Sequence, residues 1–257
     1  MLKALIFDMA GTLADTEEAN RRAFNAAFQE LGFHWQWDVP TFHRLRGTGS
    51  DDARVHHYVE TEHSHLFKAY DTDFLCSLIR KSKDYRYQQM LASGAIRLRP
   101  GILRVLMQAR AAGVRLGIAS GSPRRHIDTL LIANGADPDW FDVIGSAETA
   151  VEKKPAPDLH RWVAQGLAVT PDECLAIEDS QPGFDAVCGA GMPAVITTSA
   201  YTADQAFDGA LAVLPHLGDP DEPLHDSRTL GLPRPWVDLE QLKGWHLGHR
   251  AASAVAE

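Results

Sequence analysis

Residues Leu2–Glu17, LKALIFDMAGTLADTE, constrain this chain more than any other stretch. Leu2, Ala4, Leu5, Ile6 and Phe7, interrupted by Lys3, read as a buried strand. That strand runs straight into Asp8, then Gly11 and Thr12. A carboxylate at the carboxyl end of a central strand sits where open α/β sheets bind ligands. Gly11 lets the backbone turn sharply and approach a ligand closely, and Thr12 adds a hydroxyl beside the acid. An ordinary strand followed by an Asx-type turn has the same local pattern. The choice between the two therefore rests on what the rest of the chain brings to the same edge.

The chain has 257 residues, enough for one large domain or one domain carrying an insertion, and a hydrophobic content of 45% supports a real core. Its net charge of −9 argues against a nucleic-acid partner, which requires a basic face, but leaves local cationic sites for phosphorylated substrates. Cys76, Cys174 and Cys188 are scattered and odd in number, which fits a reducing compartment without a disulfide framework. The first apolar run is too short for a secretory leader, and no run approaches the roughly 20 residues that span a bilayer. A cytoplasmic monomer without membrane attachment is the expectation.

After Glu17, Ala19, Ala23, Phe24, Ala27, Phe28 and Leu31 recur at steps of three and four, and Gly32 closes the helix. An aromatic-rich connection, Phe33–Pro40, follows. From Thr41 to about Gly94 there are only helix-like segments, at Thr41–Leu45, Asp51–Glu62 and about Asp71–Leu91. This all-helical stretch interrupts an α/β pattern and predicts an inserted lid. His56, His57, His63 and His65 lie within it and could bind a metal, but no carboxylate or Cys joins them in a recognised ligand spacing, which favours a wet helix face or loop.

Arg99-Pro100-Gly101 marks the return to strand–helix alternation. Strands are expected at Val114–Ala119, Phe141–Ile144, Cys174–Ile177, Ala194–Thr197 and Leu211–Leu214, with helices at Ile102–Ala112, Arg124–Ala133 and Gln181 to about Ala190. The tail from Pro215 onward, rich in Pro, Gly, Asp and His, is expected to wrap the surface, with a short helix at Leu239–Gly244. Ser120-Gly121-Ser122-Pro123 follows the second strand as a phosphate cradle, small hydroxyl residues and a Gly before a Pro at a first helical position. Lys153 and Lys154 sit on a loop stiffened by Pro155 and Pro157, where a lysine can neutralise a phosphate or simply face water.

Alternation of this kind predicts a parallel sheet with right-handed crossovers, so the strand ends share one edge. Asp8, Ser120, Lys154, Glu178 and Asp179 converge there. Three carboxylates at one place repel one another unless a cation joins them, and hard oxygen ligands suit Mg²⁺. A metal and a lysine offset the charge of a phosphoryl group, which one carboxylate can attack.

The set Asp8…Gly11-Thr12, Ser120, Lys154-Pro155 and Glu178-Asp179 resembles, in order and spacing, the four motifs of the haloacid dehalogenase superfamily over roughly residues 1–215. Arg21–Asn25, Trp35–Asp38, Lys153–Asp158 and Glu178-Asp179-Ser180 are similar to the CbbY-like sugar-phosphate phosphatases, relatives of β-phosphoglucomutase. The resemblance implies a Rossmann-like parallel-sheet core of residues 1–15 and 96–257 and an inserted helical cap of residues 16–95 that closes over a small phosphorylated metabolite. It makes Asp8 the nucleophile. Asp8, the Ala10 carbonyl and Asp179 would hold Mg²⁺ with Glu178 in support, and Ser120 and Lys154 would bind the phosphoryl group alongside Gly11, Thr12 and Gly121. Glu17 matches a substrate-facing acid, and Arg46-Gly47-Thr48-Gly49-Ser50 stands where the cap's specificity loop belongs.

Two departures matter. Family phosphatases carry a second Asp two residues after the nucleophile as proton donor and acceptor; here the residue is Ala10. General acid–base help is worth ~10²–10⁴ in rate, so turnover of an alkyl phosphate should be slow. Three readings follow: a variant, natural or engineered, of a phosphatase that lacks its acid; chemistry that does not need it; or a binding module that keeps the phosphate and Mg²⁺ site. The family's phosphonoacetaldehyde hydrolases also have Ala here, but they need a cap lysine, and Gly47–Arg54 contains none; Lys68, Lys81 and Lys83 lie well outside it in sequence. In addition Gly49 is followed by Ser50-Asp51-Asp52, where relatives often place a Lys or Arg. Arg46 or Arg54 would have to compensate, which favours a small sugar phosphate over a bisphosphate. Of Arg21 and Arg22, at least one is expected to face solvent.

Overall fold

A computed structural model describes residues 1–68, 71–149, 152–225 and 231–256. The chain divides into two compact units, Met1–Asp15 with Arg97–Glu257, and Thr16–Ile96.

Within Thr16–Ile96 the described helices are α1 (Thr16–Glu30), α2 (Val39–Arg46), α3 (Asp51–Glu62) and α4 (Thr72–Ala92). Each start has a local cause. Glu17 and Glu18 lie in the first turn of α1, where acids suit the helix dipole. Asp38, Ser50 and Asp71 each turn a side-chain oxygen back onto the first backbone N–H groups of α2, α3 and α4. Ala19, Ala23, Phe24, Ala27 and Phe28 of α1 are buried, as their spacing requires.

The aromatic connection after α1 is part of this unit's core. Trp37 is fully buried with its ring 4.6 Å from that of Phe24 and 4.9 Å from that of Phe28. Arg21 donates to the Trp37 carbonyl at 2.6 Å and Asn25 brackets the same backbone, while Arg22 is exposed. His63 stacks on Trp35 at 4.8 Å, and none of the four histidines joins a metal-holding group among the described residues.

The other unit is built on a six-stranded, wholly parallel sheet. Its strands are β1 (Ala4–Phe7), β2 (Arg115–Ala119), β3 (Val143–Gly145), β4 (Cys174–Glu178), β5 (Ala194–Thr197) and β6 (Ala212–Leu214), in the order β3-β2-β1-β4-β5-β6. The order reverses direction at β1, which places the end of β1 at the topological switch point. The helices are α5 (Ile102–Ala111), α6 (Arg124–Ala133), α7 (Asp158–Gly166), α8 (Gln181–Gly189) and α9 (Leu239–Ala256).

Two of these differ from expectation. Helix α7 begins at the end of the Glu152–Asp158 loop and fills a stretch to which the sequence assigns no element. Leu159, Val163 and Ala164 give it a buried face, and it presses on the sheet where Gly117 and Gly145 lack side chains. A Cβ on Gly117 would stand 2.7 Å from Val163, and one on Gly145 2.8 Å from Leu159.

The tail is structural. Leu217, Val237 and Leu242 are fully buried, and Arg104 holds Asp219 at 2.8 Å, the Val237 carbonyl at 3.1 Å and the Gly218 carbonyl. Helix α9 runs 18 residues instead of ending at Gly244. Gly244 and Gly248 have open space where a Cβ would be, so they cost the helix only propensity, while Leu239, Leu242 and His246 anchor its inner face. Residues 226–230 of the tail lie outside the described residues. Among the described residues no helix is long and apolar enough to cross a membrane.

Candidate active site

Strand register builds the site. Phe7 pairs with Ile118 of β2 and Ile177 of β4, so Asp8, one residue on, is level with Ala119 and Glu178. The Asp8 N–H donates to the Ile177 carbonyl at 3.0 Å, which carries the pairing one residue past the strand. Asp8, Glu178 and Asp179 are all buried, and each offers an oxygen within 4.8 Å of the others. The Lys154 ammonium enters this group from the loop before α7, 2.6 Å from Asp8 Oδ1 and in contact with Glu178 Oε1.

Burial is the largest influence on both Glu178 and Lys154. It raises the Glu178 carboxyl above the usual carboxylate range, helped by Asp8 and opposed by Lys154. It acts to lower Lys154, but Asp8 and Glu178 outweigh it and hold the ammonium above its ordinary range. His160 on α7 has its Nε2 3.7 Å from Glu178, and burial followed by the charge of Lys154 pushes it down to about 3, leaving a neutral imidazole.

The loop after Asp8 is a tight turn. Leu13 and Ala14 donate to the Met9 carbonyl, and Gly11 donates to the Ala14 carbonyl at 2.8 Å. Gly11 has φ +79, and a Cβ there would stand 2.0 Å from Asp179 Oδ2. Ala10 offers this turn a carbonyl and a methyl group, with nothing that transfers a proton. The Thr12 hydroxyl is buried with no hydrogen-bond partner among the described residues.

Of the other expected residues, Ser120 is buried one residue beyond β2, its N–H on the Gly145 carbonyl at 3.1 Å and its hydroxyl accepting from the Ser122 N–H at 3.3 Å. Gly121 beside it is exposed. Glu17 and Arg46 belong to the helical unit, where they form an ion pair at 3.5 Å; Arg54 there pairs with Asp51 at 3.0 Å.

Sequence reasoning missed the residues behind these. Arg99 is buried, and its guanidinium donates to the carbonyls of Gly11, Thr197 (2.9 Å), Thr198 (2.6 Å) and Pro215 (2.5 Å), with Asp15 at 3.2 Å. The Ser199 hydroxyl donates to Asp179 Oδ2 at 3.3 Å. Gly183 in α8 leaves room for Glu178, since a Cβ would lie 2.0 Å from Oε2. The only signal for Arg99 is its place in Arg99-Pro100-Gly101, which marks an element boundary and says nothing of burial.

The donor set is three carboxylates against one ammonium, all hard oxygen ligands of the kind that hold Mg²⁺. Asp8, Glu178 and Asp179 therefore fit a divalent cation.

Comparison with known proteins agrees with this geometry. A profile of haloacid dehalogenase-like hydrolases matches residues 2–191. The chain is 42% identical to protein CbbY (plasmid) of Cupriavidus necator, over 96% of this chain and 98% of that protein. It is also similar to the crystal structure of CbbY from Rhodobacter sphaeroides in complex with phosphate (32% identity, TM-score 0.68), covering 84% of this chain and 95% of that one. A mutant of the same protein in complex with xylulose 1,5-bisphosphate gives 33% identity and a TM-score of 0.69, with the same coverage. With its motifs gathered at the carboxyl edge of a parallel sheet and its sequence matched nearly end to end, the chain belongs to the haloacid dehalogenase-like hydrolases.

Proposed function

We propose that this chain is a Mg²⁺-dependent phosphatase of small sugar phosphates, with Asp8 as nucleophile and a turnover reduced by Ala10. One observation carries the reading: the Lys154 ammonium bridges Asp8 and Glu178 beside Asp179 at the switch point of the sheet. Asp8, the Ala10 carbonyl and Asp179 would hold Mg²⁺ with Glu178 in support, and the cation when bound supplies charge to offset the phosphoryl oxygens. Lys154, with Ser120 and the backbone of Gly11, Thr12 and Gly121, would bind the phosphoryl group.

In the first step Asp8 Oδ attacks phosphorus, the P–O ester bond breaks, and the leaving alkoxide takes a proton. In the second, water attacks the aspartyl-phosphate, loses a proton and releases phosphate with the Asp8 carboxylate. Both proton transfers need a group that Ala10 is not, so each falls to solvent. The CbbY relative crystallised with xylulose 1,5-bisphosphate supports a sugar-phosphate substrate class. Cytoplasmic location and a monomeric state complete the proposal.

Ala10 also favours a second reading, a phosphate-metabolite binding protein with little turnover. The phosphonoacetaldehyde reading loses ground on Lys83. Its ammonium does return to the region lacking a lysine, but it is engaged there by Asp51 at 2.5 Å and Asp84 at 2.9 Å, and a Schiff base needs a lysine amine free to attack the aldehyde.

The test is phosphate release from a panel of sugar phosphates with Mg²⁺, xylulose 1,5-bisphosphate included, by this chain and by Ala10→Asp and Asp8→Asn. A gain of about 100-fold or more in Ala10→Asp, in line with the worth of an acid–base group, with Asp8→Asn inert, supports the phosphatase. Rapid turnover unchanged by Ala10→Asp overturns the role given to Ala10. Phosphate binding with no turnover in either chain moves the binding reading forward.

A further inference from the structure

We infer that Arg99 is a positioning residue for the metal centre, one guanidinium that fixes both the turn after Asp8 and the loop whose Ser199 hydroxyl holds Asp179. The inference rests on the divalent-cation reading of Asp8, Glu178 and Asp179.

Arg99 lies on the segment that returns from the inserted unit, far in sequence from any motif. Its side chain is buried, and its N–H groups go to backbone carbonyls of two separate loops. One is Gly11, in the turn that follows Asp8 and contains Ala10. The others are Thr197 at 2.9 Å and Thr198 at 2.6 Å, immediately before Ser199, whose hydroxyl donates to Asp179 Oδ2 at 3.3 Å. Pro215 and Asp15 complete its partners, so every direction of the planar fork is used.

The Gly11 peptide is thereby held from two sides. Arg99 fixes its carbonyl, and its α-carbon lies against Asp179 so closely that a Cβ would stand 2.0 Å from Oδ2. The strand register already fixes Asp8 against Glu178. Arg99 adds what the sheet cannot supply, the placement of the Gly11 turn relative to the Ser199 loop on the far side of Asp179. Outer-shell groups of this kind change metal affinity by 10–100-fold when lost.

Lysine at position 99 keeps the charge but loses the fork, and cannot serve both loops. Arg104 is the control: it too braces backbone carbonyls, those of Gly218 and Val237, but in the tail. Mn²⁺ binding followed by electron paramagnetic resonance, without substrate, is measured for the parent chain, Arg99→Lys, Arg104→Lys and Asp179→Asn, with melting temperatures beside it. The expected result is a folded Arg99→Lys with Mn²⁺ affinity about 10-fold weaker or more, and Arg104→Lys that melts lower with unchanged affinity. Parent-like affinity in folded Arg99→Lys, or an equal loss in Arg104→Lys, overturns the inference. If Arg99→Lys does not fold, Arg99→Gln takes its place under the same criterion, and failure of both to fold makes Arg99 a folding residue only and also overturns it. A parent chain that binds no Mn²⁺, or binds it equally as Asp179→Asn, refutes the metal reading instead, and the positioning role falls with it.

Discussion

Gly11 and Asp179 are 168 positions apart in the sequence, yet a β-carbon on Gly11 would stand 2.0 Å from Asp179 Oδ2. The same glycine has φ +79, a conformation that costs an L-residue roughly 1–2 kcal/mol. Gly11→Ala therefore meets two penalties at once. Either the turn unwinds or Asp179 swings away from Asp8 and Glu178. Loss of Mn²⁺ binding by more than about 10-fold with only a modest fall in melting temperature is expected. Unchanged Mn²⁺ binding would show that the turn and Asp179 are independent.

Lys154 and a divalent cation bound by Asp8 and Glu178 would compete for the same oxygens, since the ammonium already touches both carboxylates. Lys154→Met removes that competitor and also removes the charge that would meet a phosphoryl group. Divalent-cation affinity should rise while affinity for inorganic phosphate falls, the two moving in opposite directions. Isothermal titration with Mn²⁺ and with phosphate reads both. A fall in both would mean that Lys154 holds the carboxylates in place and does not rival the metal.

The strand ends were legible in the sequence because β1, β2 and β4 each run apolar into a polar residue, and a parallel sheet aligns those ends. Helix caps at Asp38, Ser50 and Asp71 carry their own local signals. What stayed hidden depends on contacts between distant residues. Arg99 looks like any residue before Pro-Gly until the fold buries it among carbonyls from positions 11, 197, 198 and 215. Lys83 is 32 positions from Asp51, yet α4 returns its ammonium to within 2.5 Å. The tail's polar composition conceals Leu217, Val237 and Leu242, three buried residues spaced too widely to form a periodic pattern.

Helix α7 went unread for a related reason, since half its seat is supplied by glycines on other elements. Gly117 and Gly145 let Val163 and Leu159 settle directly on the sheet. Gly117→Ala places a methyl 2.7 Å from Val163 Cγ1 and 3.1 Å from Leu167 Cδ1. Overpacking of this sort costs about 1–3 kcal/mol. A lower melting temperature, partly restored by the double change Gly117→Ala with Val163→Ala, is expected. Additive losses in the double variant would sink the packing account.

His246 joins the tail to the turn that precedes β4, buried at 1% exposure with its Nε2 2.9 Å from the Asp172 carbonyl. Burial is the main influence lowering its pKa. The Asp172 carbonyl opposes this, and the charges of the N-terminus, Arg250 and His249 add to it. The unfolded chain thus takes up the proton more readily, near pH 6.5. Stability from this site is complete above that pH and drains away as pH falls below it toward the lower folded value. The parent chain should lose more melting temperature between pH 7.5 and about 5.5 than His246→Gln, whose amide can still reach Asp172 but does not titrate in that range. Parallel losses in the two proteins would place the acid sensitivity elsewhere and leave α9 docked by its leucines alone.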